Sequence, residues 1–206
     1  MSVGSGRHPA YARSMSARIA TDGDIDGIVE TLSLAFADDP LWGWAFPDGD
    51  GLAAMMRLFA GSALRFPWTW IAGNFDAVAV WIPPGEIELT DAEEASIQPL
   101  LERHVGDRAH DVRKLVDAFE EYHPDERPHY YLSLLGTHPS ARGRGVGMGL
   151  LNECLIKVDQ EGMPAYLESS NPSNDHRYER HGFRKIGSFD RPDGGSTAAT
   201  MWREPR

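Results

Sequence analysis

The chain has 206 residues, of which 41% are hydrophobic and 25% are charged, and its formal net charge at pH 7 is −11. These values predict one globular domain with a substantial core. The negative charge argues against nonspecific nucleic-acid binding, which needs a basic surface. No apolar run reaches the length of a membrane span, so we expect no membrane partner. The single cysteine, Cys154, permits no intrachain disulfide, which favours a reducing, cytoplasmic location.

The first sixteen residues contain glycine, proline and arginine but no apolar core, so we expect 1–16 to be a disordered leader and not a secretory signal. A short strand and a capped helix follow, and Asp39-Pro40 ends that helix. Three aromatic residues come next in a predicted loop, where they either cover the core or wall a pocket: Trp42, Trp44 and Phe46.

The middle of the chain alternates between helical and strand patterns. Thr90-Asp-Ala-Glu93 has the form of a capping box, which marks a helix start. We predict a helix over about 52–66, strands over 68–72 and 76–82 joined at Gly73-Asn74, and helical structure over about 91–122. After these we predict a strand over 129–137, a helix ending near Gly162, a strand over 165–169, a short helix over 171–180, and strands over 183–189 and 197–203. This order favours a mixed α/β fold of the α+β type.

A glycine-rich turn between the 129–137 strand and the next helix is the strongest functional signal. Glycines there let backbone N–H groups converge, and a helix start adds a positive end, which predicts a phosphate site. A P-loop is excluded because no lysine follows the glycines. The dinucleotide pattern G-x-G-x-x-G fails in both registers, since Met148 and Leu150 replace the third glycine. Glu168, about 20 residues further on, keeps that pattern as a weaker alternative.

The same turn, Arg142-Gly-Arg-Gly145-Val-Gly147, matches R/Q-x-x-G-x-G/A, the acyl-CoA pyrophosphate motif of the GNAT N-acetyltransferase superfamily. The segment from Tyr166 to Phe183 resembles the next strand of that family, with its asparagine at Asn171 and a Tyr-Glu-x-x-Gly-Phe ending that starts at Tyr178. Two further segments resemble the puromycin N-acetyltransferase-like branch: Phe36-Ala-Asp-Asp39-Pro40 and Val78-Ala-Val-Trp81-Ile-Pro-Pro84. The resemblance covers about 17–203.

The resemblance implies a GNAT fold, with a mostly antiparallel sheet that splays at its centre and is flanked by helices. It implies one domain over 17–206 with a helical insertion at about 86–128. It also implies acetyl-CoA as co-substrate, no metal, and direct acetyl transfer to a primary amine of a small molecule in a ternary complex. The cofactor-binding residues that it implies are Leu135, Gly136, Thr137, Arg142, Gly143, Arg144, Gly145, Val146, Gly147, Met148, Asn171 and Asn174.

The resemblance also implies the catalytic groups. Tyr178 occupies the family's tyrosine position and would protonate the leaving thiolate. Glu168, expected as an exposed strand carboxylate, is the candidate general base. An equally weighted alternative is that Glu168 is only a solvated or salt-bridged strand residue without a catalytic role. Weaker candidates for the base are His138, His176, Asp38 and Asp39. Cys154 falls on the apolar face of its helix, so we expect a core residue and not a covalent nucleophile.

Two other functions stay open at this point. In the first, the chain acetylates a protein or peptide. In the second, it is a non-catalytic regulator that binds CoA. We expect a monomer or a homodimer in each case.

Overall fold

The computed structural model describes residues 17–206, so the leader predicted at 1–16 lies outside the described residues. The strands are β1 (Ala17–Ile19), β2 (Thr69–Ala72), β3 (Ala77–Ile82), β4 (Tyr130–Thr137), β5 (Ala165–Ser169), β6 (Arg184–Asp190) and β7 (Thr197–Arg203). The helices are α1 (Ile25–Phe36), α2 (Trp42–Ala45), α3 (Asp50–Ala63), α4 (Asp91–Val105), α5 (Ala109–Glu121), α6 (Val146–Gln160) and α7 (Asp175–Arg180). None of the helices in this range is long and apolar enough to cross a membrane.

The seven strands form one sheet in the order β1-β2-β3-β4-β5-β7-β6, and β4 and β5 are its parallel pair. Their pairing covers only Tyr130–Leu132 against Ala165–Leu167. Beyond that point β4 continues along β3 up to Thr137, while β5 continues along β7 up to Ser169. The two central strands therefore diverge, which confirms the predicted mixed α/β fold with a splayed, mostly antiparallel sheet.

Helices cover both faces of the sheet, and the strand β3 is accordingly buried on both. Along this strand Val78 and Val80 belong to the core beneath α1, α3, α4 and α5, whereas Ala79 and Trp81 belong to the core beneath α6. Alternate residues of a strand point to opposite faces, so β3 is buried on both. The helix α6, which follows the glycine turn, is thereby fixed against the centre of the sheet.

The helical insertion differs in one respect from its prediction. The capping box is confirmed, since the Thr90 hydroxyl accepts from the Glu93 N–H at 3.4 Å and the Glu93 carboxylate accepts from the Thr90 N–H at 2.8 Å. The single helical stretch predicted over 91–122 is instead two helices, α4 and α5. Gly106 between them has a φ of +54°, a left-handed conformation that ends α4.

The predicted aromatic loop is another departure, because Trp42–Ala45 forms the one-turn helix α2. The Asp39 carboxylate accepts hydrogen bonds from the backbone N–H groups of Leu41 and Trp42, at 2.9 and 3.1 Å, and so starts this turn. The hairpin between β2 and β3 also differs from its prediction. Its loop has four residues, 73–76, and not the two of a Gly73-Asn74 turn.

Candidate active site

A cavity of about 1130 Å³ opens where β4 and β5 diverge. Its wall along β4 runs from Tyr131 to Thr137, a distance of roughly 20 Å at about 3.3 Å per residue. We call the part at the glycine turn the glycine end; it is lined by Thr137, Gly143 and 145–148. The other part is the carboxylate end, and the residues that line it include Glu88, His123, Tyr131 and Glu168. One cavity thus joins two chemically different ends.

The glycine end is built for an anion. Gly143 and Gly145 both have a φ of +75°, which glycine adopts without strain. At Gly147 a Cβ atom would overlap the Thr137 hydroxyl, so glycine is needed for α6 to approach β4 this closely. The first N–H groups of α6 have no carbonyl partner within the helix, and the helix dipole makes this end positive. These features fit the pyrophosphate of acetyl-CoA.

Ten of the twelve predicted cofactor residues line the cavity; Gly136 and Arg144 do not. A Cβ at Gly136 would meet the Leu32 side chain at 2.9 Å, so this residue faces α1. The Arg144 side chain is 60% exposed and lies 3.9 Å from Asp76. Contact of the cofactor with any of the twelve stays a prediction.

Arg142 lines the cavity, but its guanidinium has partners in the protein. It donates to the backbone carbonyls of Leu34 and Ala35 at the end of α1, at 3.2 and 3.1 Å. Cations are favourable at the C-terminal end of a helix. The side chain therefore ties the glycine turn to α1.

The segment between β5 and α7 brings Tyr178 to the cavity. Asn171 shapes this segment, since its side-chain oxygen accepts the Ser173 N–H at 3.0 Å. Asn171 and Asn174 both line the cavity. Tyr178 is half-buried and packs edge-on against Phe183. Burial raises the pKa of the Tyr178 phenol well above its usual range, so it carries its proton at neutral pH, as a general acid must.

Glu168 lies at the carboxylate end, and its expected exposure was wrong. Its side chain is only 2% exposed, because β5 carries it inward at the point where the strands part. Burial and, to a smaller extent, the charge of Glu88 raise the pKa of Glu168 to about 8, while the Tyr166 and Tyr131 hydroxyls oppose the rise. Its Oε1 has no hydrogen-bond partner among residues 17–206. A buried carboxyl with a free oxygen can exchange a proton with a bound molecule.

A second carboxylate, Glu88, lines the same end from the loop before α4. Burial raises its pKa to about 7, and the Ser133 hydroxyl opposes the rise. The sequence analysis did not identify Glu88, because a lone glutamate in a loop carries no motif. Its position follows only from how the insertion folds over β4.

Two histidines at this end were also missed. The Nδ1 atom of His123 lies 3.8 Å from Glu168 Oε1, and its Nε2 lies 3.0 Å from Nε2 of His129. Burial lowers the pKa of His123 to about 4 and also lowers that of His129, so both rings are neutral at pH 7. The contact joins the end of α5, the start of β4 and β5, and no spacing in the sequence indicates it.

The weaker candidates for the base are placed differently. Both Asp39 oxygens are engaged, since Oδ2 accepts from the Ser170 hydroxyl at 2.7 Å and Oδ1 accepts two backbone N–H groups. Asp38 lines the cavity, whereas His138 and His176 do not. Asp39 therefore holds the α1–α2 connection against the end of β5.

Cys154 is fully buried on the α6 side of the sheet and does not line the cavity. Burial raises the pKa of its thiol to about 12, so the reactive thiolate is absent at neutral pH. This placement agrees with a core residue.

Comparisons with known proteins point to one family. The sequence model of the acetyltransferase (GNAT) family matches residues 113–183. Acetyltransferase Atu2258 of Agrobacterium fabrum is 35% identical over 77 residues, which are 37% of this chain and 55% of that protein. Mycothiol acetyltransferase of Propionibacterium freudenreichii is 34% identical over 67 residues, which are 31% of this chain and 22% of that protein. The matches thus span about half of the first relative and less of the second.

A solved structure extends the similarity to nearly the whole chain. It is described as histone acetyltransferase HPA2 and related acetyltransferase from Corynebacterium glutamicum, and it superimposes with a TM-score of 0.71 at 28% identity. The alignment covers 94% of this chain and 98% of that one. With this fold, the family match over 113–183 and the glycine turn in place, the chain is similar to the GNAT acetyltransferases.

Proposed function

We propose that the protein transfers the acetyl group of acetyl-CoA to a primary amine of a small cationic molecule. The observation that supports this most is one cavity that joins a glycine end suited to an anion to the buried carboxyl of Glu168, whose Oε1 accepts no hydrogen bond within residues 17–206. Acetyl-CoA would enter with its pyrophosphate at the glycine end. Within residues 17–206, the edge of β4 beyond Leu132 has no strand partner on its β5 side, so its backbone could pair with an extended amide-bearing chain such as pantetheine.

Direct transfer needs a proton acceptor and a proton donor. The amine nitrogen attacks the thioester carbonyl carbon, the carbon–sulfur bond breaks, and the amine loses one proton while the thiolate gains one. Glu168 accepts the proton from the amine, and Tyr178 donates the proton to the sulfur. Holding both reactants in one cavity removes much of the entropic cost of their encounter.

The charge of the cavity favours a cationic acceptor. Acidic side chains at the carboxylate end include Glu88, Glu120 and Glu168, with Asp38 nearby in the lining. An ammonium group bound there would lower the pKa of Glu168, because an opposite charge stabilises the carboxylate. Binding of the substrate would therefore prepare the base that the reaction needs.

The walls of the carboxylate end favour a small acceptor over a polypeptide. The insertion contributes Ile97, Val116 and Phe119 to the cavity lining. Trp42 stacks on Phe119 at 5.6 Å between ring centroids and closes the same side. The resemblance of the Phe36–Pro40 and Val78–Pro84 segments to the puromycin N-acetyltransferase-like branch also favours a small amine.

The test is acetylation of a panel of amines, followed by release of free thiol and by mass spectrometry of the acceptor. The panel contains small mono- and diamines, neutral amines and unstructured peptides at equal concentration. We expect kcat/KM to be highest for small cationic amines. A higher kcat/KM for peptides would contradict the small-molecule acceptor that we propose. Binding of acetyl-CoA without acetylation of any amine would support a non-catalytic regulator.

A further inference from the structure

The proposed transfer does not use two histidines at the carboxylate end, the half-buried His123 and the buried His129. His129 is 8% exposed, and the His123 side chain is 31% exposed. Three contacts connect them to Glu168 and to the backbone. Glu168 Oε1 lies 3.8 Å from His123 Nδ1, His123 Nε2 lies 3.0 Å from His129 Nε2, and His129 Nδ1 lies 2.7 Å from the Arg127 carbonyl oxygen.

The Arg127 carbonyl fixes where every proton of this row lies. A carbonyl oxygen can only accept, so His129 Nδ1 carries a proton and donates it. Neutral His129 then has a lone pair on Nε2, and His123 must donate to it from its own Nε2. Neutral His123 consequently presents the lone pair of Nδ1 to Glu168 Oε1, the oxygen without a partner. The row is oriented to take a proton from Glu168.

The surroundings hold both rings in place. His123 meets the rings of Tyr131 and Tyr166 edge-on, at 4.7 and 4.9 Å between centroids. His129 meets Trp202 edge-on at 5.1 Å. The charged groups nearest to the row are Glu168 on β5, with Glu88 beyond it, and Arg127, whose guanidinium is paired with Glu204 from the C-terminal segment at 2.8 Å.

Beside the row, the cavity lining reaches exposed residues. The lining continues past His123 to Asp125, Arg127 and Pro128, which are exposed in the loop between α5 and β4. These exposed residues lie just before β4, whereas the glycine end lies at the end of β4. A cofactor bound from the glycine end and an amine at Glu168 would therefore leave this side open to solvent.

We propose that His123 relays the proton of the acceptor amine from Glu168 to solvent, and that His129 holds His123 in the tautomer that can accept this proton. Glu168 takes the proton from the amine and passes it to His123 Nδ1. His123 becomes an imidazolium whose Nε2–H stays bonded to His129 Nε2. Because the His123 side chain is 31% exposed, its Nδ1 proton then passes to water, which restores the starting tautomer. Each transfer breaks one N–H or O–H bond and forms another, and Glu168 returns to the carboxylate. The 3.8 Å gap must shorten by about 1 Å to become a hydrogen bond.

The relay rests on the proposed function, but its tautomers can be measured without turnover. Long-range ¹H–¹⁵N NMR of the full chain, labelled at histidine, reports which ring nitrogen carries the proton. At neutral pH we expect the Nδ1–H tautomer at His129 and the Nε2–H tautomer at His123. An imidazolium at either residue, or an Nδ1–H tautomer at His123, would overturn the relay.

The kinetic test uses His123→Gln and His129→Gln, with exposed His110→Gln on α5 as the matched control. We expect at least a tenfold loss of kcat in both variants, an unchanged KM for acetyl-CoA, and a smaller solvent deuterium effect on kcat. His110→Gln should leave all three unchanged. Folded variants with kcat within twofold of the unmodified protein would refute the relay. Expected tautomers without turnover of any amine would instead count against the proposed function.

Discussion

The buried carboxyl of Glu168 predicts a specific dependence of stability on pH. Its pKa is raised from an ordinary 4.5 to about 8 in the folded protein. The folded state therefore holds this proton more tightly than the unfolded state does. The free energy of unfolding should fall as the pH rises from about 4.5 to about 8, because the unfolded chain loses the proton first. Above pH 8 this contribution should stay constant.

Replacing Glu168 by glutamine isolates this effect. The amide has nearly the same shape but never ionises, so Glu168→Gln should not show the decrease. At about 1.36 kcal/mol per pH unit, an interval of about 3.5 units gives an upper limit of about 5 kcal/mol. Water in the open cavity will reduce this value, and we expect the variant to gain about 2–3.5 kcal/mol over the unmodified protein between pH 5 and pH 8.5.

The assay is urea denaturation at several pH values, with the difference between the two proteins taken at each pH. Contributions from titrating groups far from Glu168 cancel in that difference, whereas His123 and Glu88 interact with Glu168 and are part of what it measures. Glu126→Gln, a change at an exposed loop residue, is the control and should shift the curve by less than about 0.5 kcal/mol at every pH. Parallel curves for Glu168→Gln and the unmodified protein would refute the burial argument.

Three further predictions concern the other residues of the site. Tyr178→Phe should lower kcat by about 10²-fold, because no acid protonates the thiolate, with an unchanged Kd for acetyl-CoA; an unchanged kcat would remove its role. Cys154→Ala should keep full activity and lose about 1 kcal/mol of stability, and a folded but inactive variant would reopen a covalent route. Gly145→Ala should raise the Kd for acetyl-CoA at least tenfold by straining a left-handed residue. Its control is Gly162→Ala, which places a similar strain (φ +66°) at the opposite end of α6 and should leave the Kd for acetyl-CoA unchanged. Equal Kd values for Gly145→Ala and Gly162→Ala would exclude the glycine end as the cofactor site.

The sequence predicted the fold well wherever a local pattern determines it. The Thr90-Glu93 capping box and the strand over 197–203 appear as expected, since caps and alternating patterns act within a few residues. The glycine turn could also be found, because glycine is needed there by the positive φ of Gly143 and Gly145. The break of the insertion at Gly106 was missed, since a glycine within a helical pattern does not always end the helix.

The carboxylate end of the cavity could be predicted only in part. Glu168 was identified through its motif, but its burial depends on the divergence of β4 from β5, which is a property of the whole sheet. Glu88, His123 and His129 meet there from segments that are far apart in the chain. Their contacts depend on tertiary packing, which a single sequence does not reveal through spacing.

The most direct test of acetyl transfer is the ratio of its two products, free thiol and acetylated amine. Free thiol and acetylated acceptor are quantified together after the unmodified protein, or Glu168→Gln, is incubated with acetyl-CoA and a small cationic amine. We expect equal amounts of the two products from the unmodified protein and at least a tenfold lower rate from the variant. No acetylated amine from any member of the panel, with acetyl-CoA bound, would contradict the account.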